Sequence, residues 1–209
     1  MIEAVIFDMD GVLIDAREWH YESLNRALEL FGYTISRSDH LNRFDGLPTK
    51  KKLQMLSRSE AFPEKLHEFV NRLKQTYTLE IVYTQCKPVY VQERALSDLK
   101  MRGYKLAVAS NSVRQSVEAM MDKSNLARYL DLQMSNEDVS FSKPDPEIYL
   151  ESMKRLGVTP ERTLIVEDNE NGVKAARASG AHVLVVSGVE EVNLENINAA
   201  IAKAEGRAA

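Results

Sequence analysis

The 209-residue chain has a single cysteine, Cys86, a single tryptophan, Trp19, and four histidines. One thiol excludes a disulfide within the chain and fits a reducing compartment, so the expected location is the cytoplasm. No apolar run is long enough to span a bilayer. The opening residues MIEAVIFD read as a buried strand, not as a basic-then-apolar leader. His20, His40, His67 and His182 are scattered, which leaves no histidine and cysteine cluster for a zinc-type site. Neither sign of charge dominates: 27 Lys and Arg stand against 31 Asp and Glu, a formal net charge of −4. That balance argues against nucleic acid as a partner. Internal repeats and low-complexity segments are absent too. What remains, at 44% apolar and 28% charged residues, is the composition of a globular protein with a substantial core.

Short apolar runs recur: AVIFD (4–8), KLAVAS (105–110), TLIVED (163–168), HVLVVS (182–187) and a weaker YLDLQMS (129–135). Runs of this length without alternation suit strands buried on both faces. Helical patterns lie between them, through Val91, Ala95, Leu96 and Leu99 to Gly103, through Ile148, Tyr149, Ser152, Met153 and Leu156 to Gly157, and over GVKAARASG to Gly180. Glycine just past the last apolar position is the usual helix stop. Strands alternating with helices predict an α/β fold, a doubly wound parallel sheet. Residues 16–80 break that rhythm. DAREWHYESLNRALELFG reads as a helix opened by a capping pair, Asp15 and Glu18, and a second helix carries Leu66, Phe69, Val70, Leu73 and Tyr77. The expected division is a core of residues 1–15 and 84–209 with a helical insertion of residues 16–83. The insertion is expected to move as a unit about hinges near 14–17 and 80–87. The tail from about residue 199 is expected to fray.

In open parallel sheets, ligands bind beyond the carboxyl ends of the strands. Those ends carry Asp8 and Asp10, then Ser110 and Asn111, then Glu167 and Asp168. Carboxylates so crowded need a cation, and hard oxygen donors suit Mg²⁺. Lys143, in FSKPDPEIY, precedes a proline and so lies outside a helix. A lysine there can balance both a carboxylate and a phosphate.

In this order DMDGV (8–12), ASN (109–111), SKPDP (142–146) and VEDNENGVKAARASGA (166–181) resemble the four motifs of haloacid dehalogenase superfamily hydrolases. The match is to the branch with a small helical cap, similar to β-phosphoglucomutase and small sugar-phosphate phosphatases. The resemblance implies a Rossmann-like core with an inserted cap and a Mg²⁺-dependent phosphatase acting on a small phosphorylated metabolite through an aspartyl-phosphate. It implies Asp8 as nucleophile and Asp10 as acid and base. Ser110 and Asn111 would hold phosphate oxygens, and Lys143 would offset negative charge. The metal would be held by Asp8, the Asp10 backbone carbonyl and Asp168, with Glu167 direct or through water. In the cap, His20 matches an E-x-H pattern with Glu18, and Gly46 and Lys50 fall where the substrate loop is expected, near residues 42–53. Trp19 reads as packing. A monomer without nucleic-acid or membrane partners is expected.

Asp10 argues against dehalogenases and phosphonatases, which lack it. A phosphomutase must grip a second phosphate, with an arginine three residues after the cap-loop glycine and a lysine three after the hydroxyl-motif serine. Those positions are Thr49 and Val113. Lys50 and Arg114, adjacent to them, are the available substitutes. Phosphatase is therefore the expected activity, with a mutase or a non-catalytic phospholigand binder as alternatives.

Overall fold

In the computed structural model, which describes residues 1–44 and 46–207, the five predicted apolar runs form strands of one sheet. The elements in chain order are β1 (Ala4–Phe7), α1 (Arg17–Glu29), the single turn α2 (Arg37–Asp39), α3 (Thr49–Glu60), α4 (His67–Gln85), α5 (Tyr90–Met101), β2 (Lys105–Ala109), α6 (Arg114–Lys123), β3 (Leu132–Met134), α7 (Glu147–Leu156), β4 (Thr163–Glu167), α8 (Glu170–Ala178), β5 (His182–Val185) and α9 (Leu194–Ala204). The chain divides into two compact units, Met1–Asp15 with Lys87–Ala209, and Ala16–Cys86.

In the first unit every strand pairing is parallel and the order is β3-β2-β1-β4-β5. The winding reverses between β1 and β4. Side chains alternate across a strand, and both sides of the central strands are covered. Ala4, Ile6, Ala107, Ala109 and Ile165 share a buried cluster with Ile148, Tyr149 and Met153 of α7 and Ala175 and Ala176 of α8. The intervening Val5, Phe7, Leu106, Val108, Leu164 and Val166 are buried as well, on the side where α5 and α9 pack on each other and on the sheet. Burying both faces explains why the strands show no polar alternation.

The second unit is helical. Leu24, Ala27 and Leu28 of α1, Leu53 and Leu56 of α3, and Val70 of α4 close a core with Ile35, Phe44 and Phe62. Asn25 pins the following loop by bonding both the N–H (2.7 Å) and the carbonyl (3.0 Å) of Ile35.

Four expectations change. The Asp15 and Glu18 capping pair does not form: the N-cap is Ala16, without a side-chain cap. Glu18 is then one place short of N3, and it pairs with Arg37 at 2.7 Å instead. Residues 49–53, expected in a substrate loop, are the opening turns of α3; its buried Lys52, Leu53 and Leu56 hold a segment otherwise dominated by charge. Asp45, in that expected loop, lies outside the described residues. The tail does not fray from residue 199, because Ile197 and Ile201 of α9 are buried and Glu205 accepts the N–H of Ile2 at 2.7 Å. Finally, α4 continues to Gln85, so the expected return hinge is helical over most of its length.

Candidate active site

Strand register assembles the site. Phe7 lies opposite Val108 in β2 and Val166 in β4, so the next residues, Asp8, Ala109 and Glu167, stand abreast at the carboxyl edge. Asp8 continues the ladder by donating its N–H to the Val166 carbonyl at 2.9 Å. Asp8 and Glu167 are both buried, and two carboxylates in that setting repel strongly.

Lys143 answers the repulsion. It sits in a turn closed by the Asp145 N–H on the Ser142 carbonyl, with a cis bond to Pro144. Its ammonium is buried and donates to Asp8 Oδ1 (2.6 Å), Glu167 Oε1 (2.7 Å) and the Ala109 carbonyl (2.9 Å). Three N–H groups meet three acceptors, one from the end of each central strand. Asn111 holds the lysine from outside, its Oδ1 accepting the Lys143 N–H at 3.0 Å. Burial works against the ammonium, yet Asp8 and Glu167 outweigh it and keep its pKa above the usual lysine value. For Asp8, burial raises the pKa well above the carboxylate range. Lys143 opposes this, but Glu167, Asp10 and Asp168 add to the rise. One ammonium is too little positive charge for four carboxylates.

Oxygens of Asp8, Glu167 and Asp168 lie within 4.8 Å of one another. All are hard carboxylate donors, without nitrogen or sulfur, and the charge deficit is of the kind a divalent cation removes. The residues therefore fit Mg²⁺. Two glycines keep the space. A Cβ on Gly11, itself at φ +87°, would stand 2.0 Å from Asp168 Oδ2; one on Gly172 would stand 1.8 Å from Glu167 Oε1.

Asp10 lies in a tight turn after β1. Its backbone forms a bridge with Ile14, and the Gly11 N–H bonds the Ile14 carbonyl at 2.7 Å. Ser110 is buried, anchored by its N–H on the Met134 carbonyl at 3.0 Å. The structure thus brings together Asp8, Asp10, Ser110, Asn111, Lys143, Glu167 and Asp168 in one unit. His20, Gly46 and Lys50 belong to the other. There, Lys74 Nζ lies 3.1 Å from His20 Nδ1; an ammonium only donates, so Nδ1 accepts. Gly46 takes a left-handed φ of +67°, and Lys50 is exposed in the first turn of α3.

Two residues escaped the sequence reading. Tyr149 belongs to the apolar stripe of α7, but its hydroxyl donates to Glu167 Oε1 at 2.5 Å, and its ring lies 4.8 Å from Lys143 Nζ. Ser112 donates to Asp10 Oδ2 at 2.9 Å. The only sequence signal for Ser112 is its place two residues past Ser110. Arg114, considered as a phosphate anchor, is held by Asp138 at 2.7 Å, which also binds Arg155 at 3.1 Å.

An aspartate and lysine pair thus lies at the switch point of a doubly wound parallel sheet, beside an oxygen set suited to Mg²⁺, where open α/β sheets bind their ligands. The sequence pattern of the family described as haloacid dehalogenase-like hydrolase matches residues 5–186, and the chain belongs to that family. It is 32% identical over 179 residues to a phosphorylated carbohydrates phosphatase of Thermotoga maritima, covering 86% of this chain and 82% of the relative. The crystal structure of CbbY from Rhodobacter sphaeroides in complex with phosphate superposes with a TM-score of 0.81 at 25% identity, over 90% of this chain and 87% of that one. The β-phosphoglucomutase from Clostridium difficile shares the fold with a TM-score of 0.84 at 22% identity, over 99% of this chain and 100% of that one. The protein is a hydrolase of the haloacid dehalogenase-like family. Among its described residues no helix is long and apolar enough to cross a membrane.

Proposed function

We propose that the protein hydrolyses a small phosphomonoester, a sugar phosphate, through an aspartyl-phosphate on Asp8 and with Mg²⁺. The observation that carries this reading is the Lys143 ammonium, bonded at once to Asp8 Oδ1 and Glu167 Oε1. It neutralises and aims a buried carboxylate beside an oxygen set that fits a divalent cation. The name of the Thermotoga maritima relative, a phosphorylated carbohydrates phosphatase, supports the substrate class.

Asp8 attacks phosphorus, and the bond to the ester oxygen breaks as Asp10 gives that oxygen a proton. Water then attacks the same phosphorus and yields a proton to Asp10. Inorganic phosphate leaves and the Asp8 carboxylate is restored. Ser110 and Asn111 hold phosphate oxygens at the end of β2, while Lys143 stays paired with the charge gathering on Asp8. Phosphoryl transfer needs positioning and charge stabilisation above all. Asp8 and Asp168 would hold Mg²⁺ with the Asp10 carbonyl, and Glu167 completes the acidic set while Lys143 and Tyr149 occupy its Oε1. When bound, the ion supplies positive charge to the phosphoryl oxygens. In the helical unit His20, Gly46 and Lys50 are the proposed substrate-binding residues.

A mutase is the weaker reading. Thr49 and Val113 carry no charge, and the Arg114 guanidinium is committed to Asp138. A non-catalytic binder would have no need of a complete set of Asp8, Asp10, Lys143 and Asp168.

Phosphate release from a panel of sugar and nucleotide monophosphates, with Mg²⁺ and with EDTA, tests the proposal. Metal-dependent release with a preference for sugar phosphates is expected. Release that survives EDTA overturns the metal requirement, and a pure protein inert on every ester overturns the hydrolytic reading.

A further inference from the structure

We infer that Ser112 is a positioning residue for Asp10, holding its carboxylate at the angle from which it exchanges protons with the leaving group and with water. This role rests on the phosphatase mechanism proposed for the site. The two residues come from different strand ends, Asp10 from the turn after β1 and Ser112 from the loop after β2, and they meet at 2.9 Å, Oγ–H to Oδ2. Ser112 is itself fixed at both of its main-chain polar groups. Its N–H donates to Ser110 Oγ at 3.0 Å, and its carbonyl accepts the Asn136 N–H at 3.0 Å. The Asp10 main chain is equally fixed by the bridge to Ile14. A carboxylate held by its own backbone on one side and by Ser112 on the other keeps a defined orientation.

The arrangement also ties two catalytic tasks together. Ser110, proposed to hold phosphate, accepts the N–H of the residue whose hydroxyl holds the acid and base. A phosphoryl group seated against Ser110 is therefore seated at a set distance from Asp10. Proton transfer is sensitive to such placement, because a group displaced by about an ångström can cost about 10²-fold in rate.

The test is a leaving-group comparison on Ser112→Ala and Ser112→Thr, paired with crystal structures. Phenyl phosphate has a poor leaving group and needs a well-placed acid, whereas p-nitrophenyl phosphate does not. With Mg²⁺, Ser112→Ala should lower kcat/KM for phenyl phosphate about tenfold and for p-nitrophenyl phosphate less than about threefold, the size expected for one lost hydrogen bond. Ser112→Thr, which keeps the hydroxyl, should recover the phenyl phosphate value. In crystals of Ser112→Ala the Asp10 carboxylate should take a different rotamer. Equal losses on both esters would mean that Ser112 binds phosphate or merely supports the loop, and would overturn the inference. So would unchanged kinetics, or an Asp10 side chain that stays in place. A wild type inert on both esters refutes the phosphatase reading instead, and the Asp10 rotamer still decides for or against Ser112.

Discussion

Gly172 and Glu167 fit together by subtraction: a Cβ on Gly172 would stand 1.8 Å from Oε1 and 2.2 Å from Oε2 of the glutamate. Glu167 can fill that space only because the first turns of α8 present no side chain there. Gly172→Ala gains about 1 kcal/mol of helix propensity, but it evicts a carboxylate that accepts from Lys143, Tyr149 and the Asp168 N–H. Bonds to charged groups are worth about 1.5 to 3 kcal/mol each, so the eviction wins. Chemical denaturation should show a net loss of stability, together with at least a tenfold loss of phosphate release. A variant as stable and active as wild type would show that Glu167 has another place to go.

Asp8→Asn should abolish turnover without unfolding the protein. An amide is no nucleophile for phosphorus. Burial and the neighbouring carboxylates make the Asp8 charge costly, which is why its pKa lies well above the ordinary value. A carboxyl group whose folded pKa is raised costs stability at pH values above its unfolded pKa. In metal-free buffer near pH 7 the variant should therefore melt no lower than wild type, while Mg²⁺ should raise the melting temperature of wild type more. A variant that melts well below wild type without metal would mean that the bond to Lys143 outweighs the repulsion.

Lys143→Ala removes the partner of two buried carboxylates. Breaking a buried pair from one side typically costs about 3 to 5 kcal/mol, and stability at pH 7 should fall by that order. Added Mg²⁺ should restore part of the loss, because it meets the same carboxylates, but not the turnover. Denaturation curves with and without Mg²⁺ check both statements.

Asp138 offers a test of pH dependence away from the chemistry. Burial alone would raise its pKa, but bonds from Ser135, Arg114 and Arg155 lower it from 3.8 to about 2. A depressed pKa stabilises the fold at pH values above 3.8, and the contribution fades as pH falls through about 2. A tenfold change in proton affinity corresponds to about 1.4 kcal/mol; allowing for solvent screening of the half-exposed arginines, Asp138→Asn should cost about 1 to 2 kcal/mol at pH 7. The difference from wild type should shrink between pH 4 and pH 2, followed by urea denaturation. A constant difference across that range would assign the effect to packing.

Hydrolysis should prevail over isomerisation of β-glucose 1-phosphate, because a mutase needs a cationic grip on the distal phosphate. Thr49 and Val113 offer no charge, and Arg114 is bound to Asp138. A coupled assay with glucose 1,6-bisphosphate as activator should show phosphate release outrunning glucose 6-phosphate formation. The reverse order would make Lys50 the first residue to substitute.

The sheet was legible because buried parallel strands leave unbroken apolar runs, and the gathering of charged residues at one edge because strand ends bring them together. Asp8, Lys143, Glu167 and Asp168 declare themselves as charges placed where an apolar strand ends or a proline turn begins. The helix α3 did not, since residues 42–53 read as a substrate loop and the burial of Lys52, Leu53 and Leu56 is set by the other helices of its unit. The capping pair failed by one residue, a distance that composition does not resolve. Tyr149 and Ser112 stayed hidden for a different reason. A tyrosine on an apolar stripe and a serine before a helix are common, and only the fold shows that each hydroxyl ends on a carboxylate at the site.

The register that levels Asp8 with Glu167 also sets the order in which the protein can be made. β1 pairs only with Lys105–Ala109 and Thr163–Glu167, while the contacts that close Ala16–Cys86 lie within that segment. On the ribosome the helical unit can be complete while β1 still has no partner, since contacts near in sequence close first. The nucleophile, translated early, is thus among the last groups to find its neighbours: Lys143 and Glu167 must both emerge before Asp8 is balanced.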